Sequence, residues 1–178
     1  VAETQRLRAT LLETHESGLK HLVEAARTAI DKDYNDTTTP VEEAKLRVRD
    51  TLRSIGFGDK NYIFAYTEDS FNLAFRPKPS AEGYVKDSNA STKALLRALF
   101  DAGRNGGGFY AYERKNPATN QVEPKISYSL VLDKWNWVIG TGVYVANVDK
   151  TVAAAEAKIQ QNIKEALSSI LLVTMVIV

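Results

Sequence analysis

The chain has 178 residues, no cysteine, 23 Lys and Arg against 22 Asp and Glu, and two histidines. Without cysteine there can be no disulfide, thiolate nucleophile or cysteine metal site, and a net charge of +1 leaves no basic footprint for nucleic acid. A hydrophobic content of 44% with 25% charged residues is that of a globular chain long enough to bury one core.

From Val1 to Tyr34 there is no proline and one glycine, so a long helix is predicted over 1–34. Leu12, His15, Leu19, Leu22, Ala26 and Ala29 repeat at steps of three and four, widened by Leu11, Val23 and Ile30, a stripe that meets a sheet, a partner helix or both. Asn35–Pro40 breaks it. A second helix is predicted to open on Thr39 as N-cap, Pro40 at the first helical position and Glu42 as capping-box partner, and to end at Gly56 and Gly58. Arg47, Arg49 and Arg53 read as its solvated side. Asn61–Thr67 alternates as a strand, with Tyr62, Phe64 and Tyr66 on one face and Ile63 and Ala65 on the other. Phe71–Arg76 returns antiparallel and is stopped by Pro77 and Pro79. A polar loop (80–89) leads to a third helix near Ala90–Ala102.

The stretch from Gly106 to Tyr144 carries three runs rich in aromatic and β-branched residues: Phe109–Glu113, Lys125–Leu132 and Trp135–Val145. Turn chemistry between them predicts an antiparallel meander. A C-terminal helix follows, marked by Val148, Val152, Ile159, Ile163 and Leu167. Its end, Ile170–Val178, is almost wholly apolar but far short of the roughly 20 residues of a membrane span. It is read as the start of a truncated transmembrane helix. The element order predicts an α+β domain with an antiparallel sheet of five strands hung between terminal helices.

The two histidines lie six residues apart on one helix and face different ways, which gives no metal site and no nucleophile–base pair. Gly106–Gly108 precedes a strand instead of a helix and lacks a following Lys-Ser or Lys-Thr, so it is a turn and not a phosphate loop. What remains is a set of aromatic and cationic residues embedded in strands. Lys125 and Arg76 are expensive to bury without an anion, and phenols donate hydrogen bonds, so a small carboxylate is the expected ligand. The candidate binding residues are Tyr62, Phe64, Tyr66, Arg76, Phe109, Tyr112, Lys125, Tyr128, Trp137 and Tyr144. Strand parity puts Lys125 and Tyr128 on opposite faces unless a bulge intervenes. No enzymatic activity and no cofactor are expected.

Six segments in order resemble one family: NYIFAY at 61–66, LAFRP at 73–77, EGY at 82–84, the triple glycine, Phe and Tyr within 106–112, PKISY at 124–128 and WNWVIGTGVYVANVD at 135–149. They are similar to the single Cache sensor domain of bacterial methyl-accepting chemotaxis receptors. The resemblance implies a long N-terminal helix packed on a five- to six-stranded antiparallel, PAS-like sheet, with the C-terminal helix leading to the membrane. It implies a ligand on the other side of that sheet, under the loop and helix between strands two and three. Short organic acids such as acetate, propionate, pyruvate or lactate are the implied ligands, and the periplasmic face of the inner membrane is the implied location. The family often has His where this chain has Arg76. On this reading 1–168 is one sensor domain (helix 1–34, sheet core 40–146, C-terminal helix 147–168), 169–178 enters the membrane, and the N-terminal helix pairs two copies. A histidine kinase or cyclase would share the domain and differ beyond it.

Overall fold

In a computed structural model the chain is described over residues 2–58, 61–84, 90–116 and 119–176, the side chains of 169–176 excepted. The elements are α1 (Ala2–Ala29), α2 (Asp31–Asn35), α3 (Val41–Ser54), β1 (Gly56–Phe57), β2 (Asn61–Tyr62), β3 (Phe64–Thr67) and β4 (Phe71–Ala74). A 3-10 turn (Pro79–Ala81) precedes β5 (Gly83–Tyr84), followed by α4 (Ala90–Gly103), β6 (Gly108–Lys115), β7 (Val122–Leu132), β8 (Trp137–Tyr144) and α5 (Val145–Val176). Six strands form one antiparallel sheet in the order β5-β4-β3-β8-β7-β6, while β1 and β2 pair separately. The expected α+β class is the observed one, and β5 is the sixth strand at the β4 edge.

Period-two alternation divides the sheet into two faces. Ile63, Ala65, Tyr128, Leu132, Trp137 and Ile139 meet Leu19, Val23 and Ala26 of α1, Ile30 just after it, and Val48 and Leu52 of α3, forming the main core. On the opposite face Phe64, Val131 and Val138 meet Leu96, Leu99 and Phe100 of α4. The buried part of the predicted stripe is therefore Leu19, Val23, Ala26 and Ile30, whereas Ala29 is exposed. Nearer its start, α1 runs against α5: Arg8 Nε lies 2.6 Å from Asp149, and the Thr4 hydroxyl donates to Glu156. The two terminal helices are antiparallel along this contact.

Two local predictions are corrected. Thr39 does not cap α3: its hydroxyl donates to Asp36 Oδ2 at 2.5 Å, and Pro40 is the N-cap with no side-chain hydrogen bond. Asp36 also accepts from the Thr38 and Thr39 amides and the Thr38 hydroxyl, so it outcompetes the helix N-terminus for Thr39. Those hydrogen bonds hold its carboxyl well below the usual range. Nor are Arg49 and Arg53 a solvated face. Arg53 grips Glu82 through Nε and Nη2 at 2.7 and 2.5 Å, and Arg49 bonds the Leu73 carbonyl at 3.1 Å. Glu82 also accepts the Phe75 amide at 2.8 Å. Burial is the strongest single influence on this carboxyl and opposes ionisation, yet the Arg53 and Phe75 hydrogen bonds together keep its pKa below normal. This pair ties α3 to the segment that carries β5.

The C-terminal helix is continuous from Val145 to Val176, with no break at 168. No helix among the described residues is long and apolar enough to cross a membrane. The loop residues 85–89 and the side chains of the apolar end lie outside the described residues.

Candidate functional site

A cavity of about 580 Å³ opens on the α4 face of the sheet. Its floor is made by the even-numbered residues of β2 and β3, Tyr62, Phe64 and Tyr66, with Tyr112 of β6, Lys125 of β7 and Tyr144 of β8. Leu95, Leu96 and Leu99 of α4 form one wall. Phe75, Lys78 and the turn leading to Glu82 and Tyr84 form the rim on the β4 side, and Arg114 and Lys115 form it on the β6 side.

The floor is flat enough to hold long side chains because β8 carries glycine where they cross it. A Cβ on Gly140 would strike the Phe64 ring, and one on Gly142 would strike Ser127 Oγ and come within 3.0 Å of Lys125 Cε. Gly140 faces Phe64 and Ser129 in the ladder, and Gly142 faces Ser127. A Gly142→Ala variant is therefore expected to lose about 1–3 kcal/mol of stability, read as a lower urea midpoint, because both clashing neighbours are buried strand residues. A midpoint equal to the parent's would mean that β8 can bow away without cost.

Lys125 is 8% exposed and has no hydrogen bond or ion pair among the described residues. Its Nζ lies 5.0 Å from the Tyr144 ring centre and 6.0 Å from that of Tyr62. Burial lowers its pKa to about 8, with the Arg114 charge adding to the effect. Around it the phenols are protonated and stay so. Burial raises Tyr62, Tyr66, Tyr112 and Tyr144 above the ordinary tyrosine value. Tyr112 Oη lies 3.0 Å from Ser127 Oγ, and Tyr144 donates to the Lys115 carbonyl at 2.9 Å. At the far end Asn72, 6% exposed, has an Oδ1 with no hydrogen-bond donor among the described residues. The cavity is thus cationic and phenolic at the β6–β7 end, and apolar under α4. The sole acid among its described lining residues, Glu82, is already held by Arg53.

Six of the ten sequence candidates share this cavity: Tyr62, Phe64, Tyr66, Tyr112, Lys125 and Tyr144. The other four lie elsewhere, each for a reason of parity. Arg76 is one residue beyond Phe75, so it turns to the opposite side. There it donates to the Ser54 carbonyl at 2.7 Å and covers Gly56, satisfying the C-terminus of α3. It does not join Lys125. Tyr128 is odd relative to Lys125 on an unbulged strand, so it enters the α1-side core and donates to the Gly106 carbonyl at 3.2 Å. Phe109 packs its ring edge on Tyr128 at 4.9 Å, also on that side. Trp137 lies in the same core beside Trp135, which meets Tyr34 edge to face. The tryptophans therefore lock α2 to the β7–β8 turn and do not wall the cavity.

Sequence reasoning missed Arg114, Phe75 and Asn72. Arg114 was lost because β6 was expected to end at Glu113. Continuing the alternation Tyr110, Tyr112, Arg114 by one step would have put it on the floor side with Lys125.

The profile of the single Cache domain 2 family matches residues 11–165. The sensor histidine kinase MctS of Rhizobium johnstonii is 32% identical over 157 residues, which cover 86% of this chain and 34% of that protein. The methyl-accepting chemotaxis protein CtpM of Pseudomonas aeruginosa is 30% identical over 173 residues, 95% of this chain and 31% of that protein. The chain thus spans about a third of the length of these curated relatives. A solved methyl-accepting chemotaxis protein from Vibrio parahaemolyticus superimposes with a TM-score of 0.68 at 29% identity, over 82% of this chain and 99% of that one. A Cache chemosensory domain solved to explain carboxylic acid recognition shares the fold, with a TM-score of 0.61 at 19% identity over 77% of this chain and 97% of that one.

Proposed function

The chain belongs to the single Cache domain 2 family, and from that premise we propose that it is the extracytoplasmic sensor domain of a membrane receptor for a C2–C4 carboxylate. It is a sensor domain and not an enzyme. The observation that carries the ligand class is Lys125: a buried ammonium with no counter-ion among the described residues, facing a cavity whose phenols are held in the donor state. Such a charge costs free energy until an anion completes it. A carboxylate supplies both the charge and acceptors for the Tyr62 and Tyr112 hydroxyls, and the α4 leucines take its apolar part.

The signal leaves through α5 on this reading. Tyr144, whose ring faces the Lys125 ammonium, is the last residue of β8, and α5 begins at the next residue. An anion drawing the ammonium away from this ring changes the contact at the base of the helix that packs against α1. The apolar end of α5 is the start of its membrane segment.

Calorimetry and thermal shift with acetate, propionate, pyruvate, lactate, malonate and succinate test the ligand class. A bound acid at 100 times its dissociation constant is expected to stabilise the domain by about 2.7 kcal/mol. Amines and neutral sugars shifting the melting temperature while every acid fails would sink the carboxylate reading. The resemblance to both MctS and CtpM leaves two outputs, a kinase and a chemoreceptor. We favour the chemoreceptor, since the 29%-identical solved domain is also one. The sequence that follows this domain in the whole receptor decides between them: a transmitter kinase core contradicts our choice.

A further inference from the structure

We propose that Arg114 forms a second anion subsite at the mouth of the cavity, so that the preferred ligand is a dicarboxylate. This rests on the carboxylate reading above and narrows it. Lys125 pairs directly with Tyr112 across β6 and β7, and Arg114 is the next residue on the same face of β6. The two cations are therefore diagonal neighbours, with backbones about 7–8 Å apart. They sit at different depths: Lys125 is buried on the floor, whereas Arg114 is exposed at the rim. A single carboxylate on the buried ammonium leaves the guanidinium over the mouth, and a second carboxylate on the same short molecule reaches it.

Arg114 makes no ion pair or hydrogen bond among the described residues, although Glu123 lies opposite it in the ladder. Glu123 is taken instead by Asn116 at 2.9 Å and by the Thr119 hydroxyl. Yet the guanidinium charge acts on Lys125, Tyr62, Tyr66, Tyr112 and Tyr144 alike, so its field covers the cationic end of the cavity. A guanidinium is also the side chain whose planar fork takes a carboxylate with two parallel hydrogen bonds. Lys78 lies on the opposite rim and carries no ion pair among the described residues, so the mouth as a whole favours a dianion.

The test compares acids of equal length with one and two carboxylates: propionate with malonate, and butyrate with succinate, by calorimetry on the domain. At least one dicarboxylate is expected to bind about tenfold or more tightly than its partner. Arg114→Ala is expected to reduce that ratio about tenfold, and Arg114→Lys to restore part of it, the melting temperature of the free domain confirming that both variants fold. Raising the salt concentration is expected to shrink the ratio, since an exposed cation is screened and buried Lys125 is not. Equal affinities within each pair, or an Arg114→Ala variant that weakens both members alike, overturn the second subsite while leaving the carboxylate reading intact. Failure of all four acids to bind overturns the second subsite, and overturns the carboxylate reading with it where acetate, pyruvate and lactate fail as well.

Discussion

Replacing Lys125 by methionine is expected to weaken carboxylate binding at least about 30-fold while making the empty domain more stable. The two effects have one origin. At neutral pH the lysine is charged, 8% exposed and without a counter-ion among the described residues, so the folded protein bears its desolvation and the unfolded chain does not. A pKa lowered from 10.5 to about 8 puts that cost on the order of 3 kcal/mol. Part is offset by the Tyr144 ring, 5.0 Å from the ammonium, which methionine forfeits. A net gain of about 2 kcal/mol would raise the melting temperature by roughly 4–8 °C for a chain of this size. Methionine suits the site because its thioether lies along Gly142 as the lysine stem does and leaves no empty channel. Binding moves the other way, since truncating one member of a buried charge pair costs about 2 kcal/mol or more. A variant that both binds and melts like the parent would show that Lys125 reaches solvent and has no part in recognition. A variant that loses binding and stability together would point to a structural lysine.

The sheet and its faces were legible because alternation is a property of the strand itself. Tyr62, Phe64 and Tyr66 sit on one face and Ile63 and Ala65 on the other for the same reason that Lys125 and Tyr128 part company: no bulge interrupts β7. Applied consistently, that rule would have removed Tyr128 from the site. Arg76 was harder to place. A cation among strand residues looks the same in sequence whether it meets a ligand or an orphan carbonyl, and here the carbonyl is Ser54 at the end of α3, 22 positions away. Arg53 and Glu82 show the converse. They read as unrelated surface charges, and only the fold brings them within 2.5 Å to secure the rim of the cavity. The Trp135–Trp137 pair stands out in the sequence because aromatic residues dominate cores as often as pockets, and its place against Tyr34 depends on where the N-terminal helices pack. Long-range pairing of this sort leaves no local pattern.

Alkaline pH is expected to separate ligand binding from folding, because Lys125 enters the two equilibria with opposite signs. In the empty domain it releases its proton near pH 8, and a bound carboxylate restores the charge, so complex formation above pH 8 takes up a proton. Affinity is therefore expected to fall about tenfold for each pH unit above 8 and to be nearly level between pH 6 and 7.5. The phenols cannot produce this slope, since burial raises Tyr62, Tyr112 and Tyr144 above the ordinary value near 10 and keeps them as donors throughout. Stability of the empty domain follows the reverse course. Between about pH 8 and 10.5 the unfolded chain holds the Lys125 proton and the folded one does not, so the unfolded state binds more protons and stability rises with pH. Above pH 10 the buried tyrosines act against it, because there the unfolded phenols ionise first. Urea titrations of the parent and of Lys125→Met at pH 7 and 9.5 isolate the lysine, whose difference is expected to narrow at the higher pH. Calorimetry over pH 6–10 gives the binding limb, and an affinity that stays constant to pH 10 would mean that the carboxylate is held by the phenols and Arg114 without the buried ammonium.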